Sequence, residues 1–306
     1  MKSQTQGAES LSMDRTGGAR QKGPPEELHV YYLNGVLPTD GEEALGPDFL
    51  GNWVEGEESF LFFKAPSDSM VRKAMAGYAN LKVVDAYRFS YEEWQGANVD
   101  RFRAGPFEVF PAWQDNEEVS GDGIRLLVDP GVVFGSGVHP TTQDCLRALA
   151  WIWEHDDPRD LLDLGTGTGI LAIAGVLLGM KNAVGVDLNP LCIRTARKNL
   201  AWNGVASCVR LVEGKAEDAL SEPADVVVAN IHYDVLATLV EKRDFRNRSW
   251  LVLSGLMRSQ AAEIRSRMKH FGLRIVWERD QDMIWYTMVA QPLDGRNAEG
   301  KTKRNE

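Results

Sequence analysis

One glycine-rich stretch, Leu161-Leu162-Asp163-Leu164-Gly165-Thr166-Gly167-Thr168-Gly169-Ile170, constrains the fold more than any other part of the chain. Mostly apolar residues run directly into three glycines at alternate positions, and an apolar segment beginning at Ile170 follows. Glycine is needed where the backbone takes a positive φ or where another group must approach closely. This order predicts a buried strand, a tight loop and a helix.

A second predicted strand, from Ala183 to Asp187, is apolar until it ends in an acid. The separation between Gly165 and Asp187 is 22 residues. Such a layout is typical of a βαβ nucleotide-binding unit, in which the acid accepts hydrogen bonds from ribose hydroxyls. We therefore expect Gly165, Gly167 and Asp187 to lie in a cofactor site.

The spacing of the glycines distinguishes between two cofactors. A dinucleotide fingerprint, G-x-G-x-x-G, would need a glycine at the position of Ile170, whereas this loop reads G-x-G-x-G. The pyrophosphate of NAD binds to backbone N–H groups at a helix N-terminus, but S-adenosyl-L-methionine contains no phosphate. The pattern favours S-adenosyl-L-methionine over NAD. A glycine-rich turn without a ligand is the other interpretation.

Composition excludes several classes of function. The chain has 306 residues and a net charge of −10, so it shows no general attraction to nucleic acid or to an anionic membrane. Its three cysteines and five histidines lack the spacing of a disulfide framework or a metal site. It lacks an apolar run of about 18 residues and the apolar core of a signal peptide. We expect a cytoplasmic monomer that binds no metal.

Aromatic residues and arginines alternate between residues 91 and 113, and this composition has two interpretations. Such stretches can bind single-stranded nucleic acid. They can also form a linker that packs its aromatic side chains against the second domain. The acidity of the whole chain favours the linker.

A loop broken by glycines and prolines runs from Asp129 to Pro140, and the pair Thr141-Thr142 is predicted to cap the helix that follows. His139 is a candidate base, although a single histidine in a loop more often has a structural role. Asn230 ends an apolar strand at the edge where α/β sheets bind ligands. It is a candidate site residue or, alternatively, the cap of the next helix.

The segments 273–277 and 284–290 are predicted strands joined by only a few residues. The connection is too short for a crossover helix, so the two strands should form an antiparallel hairpin. The fold class predicted is α/β: a Rossmann-like, seven-stranded sheet of the class I methyltransferase type, with a small N-terminal α+β domain.

Several blocks together resemble the PrmA family, whose members methylate protein eleven of the large ribosomal subunit. The most specific of them is D-P-G-x-x-F-G-S-G-x-H-P-T-T at residues 129–142, and the similarity covers roughly residues 91–290. The resemblance implies a protein-lysine N-methyltransferase that uses S-adenosyl-L-methionine, without a dedicated catalytic residue. It implies cofactor contacts at Thr142, Gly165, Asp187 and Asn230, and a large-subunit ribosomal protein as the substrate.

On this basis the chain divides into five segments. Residues 28–90 form the small α+β domain that recognises the substrate, residues 91–120 form a linker, and residues 121–291 form the methyltransferase domain. The polar segments 1–27 and 292–306 are predicted to be disordered tails.

Overall fold

The structure is a computed structural model that describes residues 23–114, 118–119 and 121–293. Within these ranges the strands form sheets of four, three and seven strands. Most of the two predicted disordered tails lies outside the described residues. Among the described residues of these tails, Glu27 begins the first strand and Pro292 ends the last, while residues 23–26 and 293 lie outside strands.

The N-terminal sheet is antiparallel, with the strand order β2-β3-β1-β4. Its elements are β1 (Glu27–Asn34), α1 (Thr39–Glu42), β2 (Phe49–Glu55), β3 (Glu58–Phe63), α2 (Asp68–Met75) and β4 (Lys82–Ser90). Helix α2 begins at Asp68, with Ser67 at its N-cap position. The pairing of β2 with β3 has an irregularity between Phe49 and Gly51.

A second, three-stranded sheet lies in the interval expected to be mainly linker. Its elements are α3 (Tyr91–Gln95), β5 (Phe102–Ala104), β6 (Phe107–Pro111) and β7 (Ile124–Val128). Phe107 and Phe110 are fully buried in it. The Trp94 ring packs against Phe62 of the N-terminal sheet, with 4.8 Å between the ring centroids. These contacts support the interpretation that the aromatic residues pack against neighbouring elements.

The seven-stranded sheet has the order β10-β9-β8-β11-β12-β14-β13. Its strands are β8 (Asp160–Leu164), β9 (Asn182–Asp187), β10 (Val209–Glu213), β11 (Val226–Asn230), β12 (Trp250–Met257), β13 (Leu273–Gln281) and β14 (Trp285–Pro292). The first five are parallel, and the final pair forms the predicted antiparallel hairpin. The predicted fold class is confirmed.

Helices cover both faces of this sheet. They are α4 (Pro140–His155), α5 (Ile170–Leu178), α6 (Pro190–Trp202), α7 (Tyr233–Glu241), α8 (Arg243–Arg246) and α9 (Arg258–His270). Leu146 and Ile173 belong to the core on one face, and Leu236 and Ile264 belong to the core on the other. The sheet is therefore the middle of three layers. The carboxyl ends of its parallel strands meet at one edge, where ligands bind in folds of this type.

Among the residues that the structure describes, none of the helices combines the length and the apolar character needed to cross a bilayer. Over the same residues, no three or more His, Cys, Asp or Glu side chains are grouped so that they could hold a metal ion.

Candidate active site

The loop after β8 forms the centre of the site. Gly165, Gly167 and Gly169 all have positive φ, at 74°, 53° and 82°. A Cβ atom added to Gly165 would lie 2.0 Å from the Ile231 side chain, and one added to Gly167 would lie 2.8 Å from the Phe134 carbonyl oxygen. The loop therefore requires glycine both for its backbone conformation and for the space around it.

Asp187, at the end of β9, is bonded directly to this loop. Its Oδ2 accepts a hydrogen bond from Gly167 N at 2.9 Å, and its Oδ1 accepts one from Asn189 N at 3.0 Å. Burial raises the pKa of Asp187, while these bonds act in the opposite direction. A carboxylate has about four lone-pair positions, so Asp187 can still accept hydrogen bonds from a ligand.

Thr142 and Asn230 lie 88 residues apart in the chain and face each other across the same edge of the sheet. Asn230 Nδ2 donates to Thr142 Oγ1 at 3.4 Å. Asn230 does not cap α7, because His232 occupies the N-cap position and makes no side-chain cap bond. The helix-cap alternative for Asn230 is therefore wrong, and its side chain contacts Thr142 instead.

The predicted cap of α4 by the threonine pair is wrong. The helix begins at Pro140, which suits the first helical position, so the cap position falls on His139. His139 Nδ1 lies 2.7 Å from Thr141 Oγ1 and accepts from Thr141 N at 3.4 Å. Burial lowers the pKa of His139. These contacts assign His139 a structural role at the start of the helix.

Asp163 is a site residue that the sequence analysis missed. Its Oδ2 accepts hydrogen bonds from Thr166 Oγ1 at 2.6 Å and from Ala172 N at 3.2 Å, so it joins the glycine loop to α5. Burial raises its pKa to about 7. Its Oδ1 is buried and has no hydrogen-bond partner among the described residues. An acid inside an apolar strand, immediately before the glycines, was the signal that could have identified it.

The N-terminal sheet packs directly beside these residues. Asn189 Nδ2 donates to the Val54 carbonyl oxygen at 3.2 Å, and its Oδ1 caps α6 by accepting from Leu191 N at 2.9 Å. Trp53 of β2 meets the Phe134 ring edge-on, with 5.7 Å between the centroids. Strand β2 of the N-terminal sheet and the loop after β7 therefore border the site, which the sequence could not show.

The side chains present fit an adenosyl ligand that carries a positive charge. Asp187 offers carboxylate oxygens suited to ribose hydroxyls, and the glycine loop leaves backbone accessible to a close ligand. The unpartnered Oδ1 of Asp163 is a further buried oxygen acceptor next to the glycine loop. Ile170 stands where the third glycine of a dinucleotide fingerprint would be, at the first residue of α5.

Comparisons with known proteins identify relatives of this chain. Residues 68–292 match the family described as "Ribosomal protein L11 methyltransferase (PrmA)". A protein of that name from Pelotomaculum thermopropionicum is 35% identical over 266 residues, which cover 85% of this chain and 79% of the relative. Another from Anoxybacillus flavithermus is 34% identical over 55% of this chain, and there the match spans only 54% of the relative's length.

A solved structure is also similar. The crystal structure of ribosomal protein L11 methylase from Lactobacillus delbrueckii subsp. bulgaricus superimposes with a TM-score of 0.56 and 25% sequence identity. The match covers 63% of this chain and 98% of that chain. The resemblance predicted from the sequence is confirmed: this chain belongs to the ribosomal protein L11 methyltransferase (PrmA) family, and its cofactor is S-adenosyl-L-methionine.

Proposed function

We propose that this protein transfers methyl groups from S-adenosyl-L-methionine to amines of ribosomal protein L11. The observation that carries the proposal is the meeting of the glycine loop, Asp187, Asn230 and Thr142 at the carboxyl edge of one parallel sheet. Relatives described as ribosomal protein L11 methyltransferases support L11 as the substrate. A different protein or a small molecule is the second candidate substrate.

Each site residue has a distinct proposed role. Asp187 accepts hydrogen bonds from the ribose hydroxyls, while Gly165 and Gly167 let the backbone close on the ligand. Thr142 and Asn230, which already contact each other at 3.4 Å, bind near the methionyl end and border the path of the transferred methyl group.

The bound cofactor supplies a methyl group that is already activated by its sulfonium. Holding the acceptor nitrogen in line with that methyl group can therefore supply most of the rate enhancement. The acceptor must be a neutral amine, whereas a free lysine has a pKa of about 10.4. Exclusion of water from a closed site lowers that pKa, because burial disfavours the charged form. A dedicated general base is not part of the proposal.

Other parts of the proposal concern the whole protein. We infer that residues 28–90 recognise the substrate, that residues 121–291 bind the cofactor, and that residues 91–120 connect them. We also infer a monomer that acts in the cytoplasm on a protein, without binding nucleic acid directly. The net charge of −10 supports the last point, because phosphate groups are repelled by an acidic protein.

The test combines binding and turnover. The full chain is titrated separately with S-adenosyl-L-methionine and with NAD, and then incubated with purified L11 and a methyl-labelled cofactor. We expect binding of the first ligand only, and label in L11 that is abolished when the L11 amines have been acetylated beforehand. Binding of NAD alone would contradict the cofactor, and label that persists in acetylated L11 would contradict amine transfer.

A further inference from the structure

One face of the N-terminal sheet carries a row of aromatic side chains. Directly opposed residues of antiparallel strands lie on the same face, and Trp53 is opposite Phe60, which is opposite Tyr32. The Tyr32 and Phe60 rings are stacked, with centroids 5.0 Å apart and planes 9° from parallel. Tyr87 is on the same face, because it is opposite Val30, and Val30 shares a face with Tyr32 two residues further along β1. We refer to Tyr32, Trp53, Phe60 and Tyr87 as the aromatic face.

The aromatic face is only partly covered. At one end of this side of the sheet, Leu28 and Phe62 are fully buried against α3 and the loop before α4. Beyond them, Tyr87 is 43% exposed, and the other three members of the aromatic face are half-buried. Exposed rows of aromatic side chains are typical of surfaces that bind another protein.

Acidic side chains border the aromatic face. Glu58 accepts a hydrogen bond from the Tyr32 hydroxyl, and an Asp85 hydrogen bond raises the pKa of Tyr87. The exposed Glu55 lies opposite Glu58 at the edge of the same face. A cation placed here would meet both ring faces and carboxylates, which attract it by independent interactions.

The wider domain has the same sign of charge. Residues 27–90 contain ten Asp and Glu against five Lys and Arg. Lys82 is a basic residue on this side of the sheet, opposite Asn34 at the far corner. The balance favours a basic partner and repels the phosphates of nucleic acid.

The aromatic face also leads to the active site. Trp53 contacts Phe134, whose carbonyl oxygen lies against Gly167 of the cofactor loop. The next residue, Val54, accepts a hydrogen bond from Asn189, two residues beyond Asp187. A chain segment lying along the aromatic face therefore ends beside the cofactor loop and the segment that follows Asp187.

We propose that the aromatic face binds a basic, lysine-bearing segment of the protein substrate and directs its amine to the active site. This inference rests on the proposed function and adds the surface and the chemistry by which the substrate is recognised. A second copy of this chain is a poorer occupant, because it would bring acidic residues of both copies together.

The test uses two variants of the full chain, each with a matched control. Tyr87→Ala removes one ring of the aromatic face. Its control is Val83→Ala. Val83 lies on the same strand and is 42% exposed, but it is on the other face of the sheet, because it is opposite Leu33, which is buried there under the helices. Glu55→Lys reverses one bordering charge, and Glu43→Lys makes the same charge change in the exposed segment after α1.

Two measurements are made on every variant. The first is the Kd for purified L11 without cofactor, and the second is the KM and kcat for L11 methylation. We expect Tyr87→Ala to raise Kd and KM about fivefold to tenfold, with little change in kcat. Glu55→Lys should act similarly at about 50 mM salt but much less at about 500 mM, because salt screens surface charges. The controls should resemble the unmodified chain.

The outcomes separate this inference from the proposed function. If the test and control variants change L11 methylation equally, the aromatic face does not recognise the substrate, and the proposed function stands. If the test variants weaken L11 binding but even the unmodified chain transfers no methyl group, substrate recognition by the aromatic face is supported. The proposed function is then contradicted. Failure of the unmodified chain to bind L11, or a change of oligomeric state as the only effect of Tyr87→Ala, overturns the inference.

Discussion

Gly167 donates its backbone N–H to Asp187 Oδ2 at 2.9 Å, so the glycine loop and the proposed ribose-binding acid form one hydrogen-bonded unit. The other carboxylate oxygen accepts from Asn189 N at 3.0 Å, which extends the unit to the start of α6. A change at either Gly167 or Asp187 is therefore expected to alter the position of the other as well as its own contacts.

Asp187→Ala should weaken binding of S-adenosyl-L-methionine by about 1–3 kcal/mol, because it removes the ribose acceptor and leaves Gly167 N without its partner. Calorimetric titration measures the effect. Asp187→Asn is the comparison, since its amide oxygen still accepts one hydrogen bond, and it should lose less affinity. Unchanged affinity in both variants would exclude Asp187 from the cofactor site.

Gly167→Ala should destabilise the protein and weaken cofactor binding. An alanine at φ 53° costs about 1–2 kcal/mol. Its Cβ would also lie 2.8 Å from the Phe134 carbonyl oxygen and displace that loop. Gly204→Ala is the control, because Gly204 has φ 70° but no atom within 4 Å of the added Cβ. Equal losses of thermal stability and of cofactor affinity in the two variants would argue against the close contact.

Asn230→Ala should lower kcat by up to about 10²-fold, because small errors in positioning strongly reduce the rate of a transfer that depends on alignment. The fold should be retained, since the cap position of α7 is His232 rather than Asn230. Single-turnover rates with L11 measure the first effect and thermal unfolding the second. A normal rate would show that the contact between Asn230 and Thr142 has no part in transfer.

The raised pKa of Asp163 predicts that the free energy of unfolding depends on pH. Burial raises its pKa from 3.8 to about 7, so between these values the folded protein retains a proton that the unfolded chain releases. The free energy of unfolding should therefore fall as pH rises through this range, by up to about 1.4 kcal/mol per pH unit, and then level off.

Asp163→Asn removes this titration while keeping an oxygen that can accept from Thr166. Urea unfolding of both proteins at a series of pH values gives the comparison. The difference in unfolding free energy between variant and unmodified protein should grow in favour of the variant up to about pH 7. Parallel profiles would show that folding does not raise the pKa of Asp163.

Patterns within one short segment predicted the corresponding local structures correctly. The pair Asn189-Pro190 is typical of a helix start, and the Asn189 side chain does accept from Leu191 N at the start of α6. The three alternate glycines predicted the loop between β8 and α5, where all three have positive φ. The short link between the last two strands predicted their antiparallel pairing. Each of these depends on backbone limits and hydrogen bonds between near neighbours.

What the sequence determined by itself was therefore the βαβ unit, its cofactor preference and the family. The tertiary structure decided which distant groups meet: Asn230 with Thr142, Asn189 with Val54, and Trp53 with Phe134. These contacts join segments that are remote in the chain. They arise from the packing of sheets and helices around shared cores, and that packing has no local signature in the order of the residues.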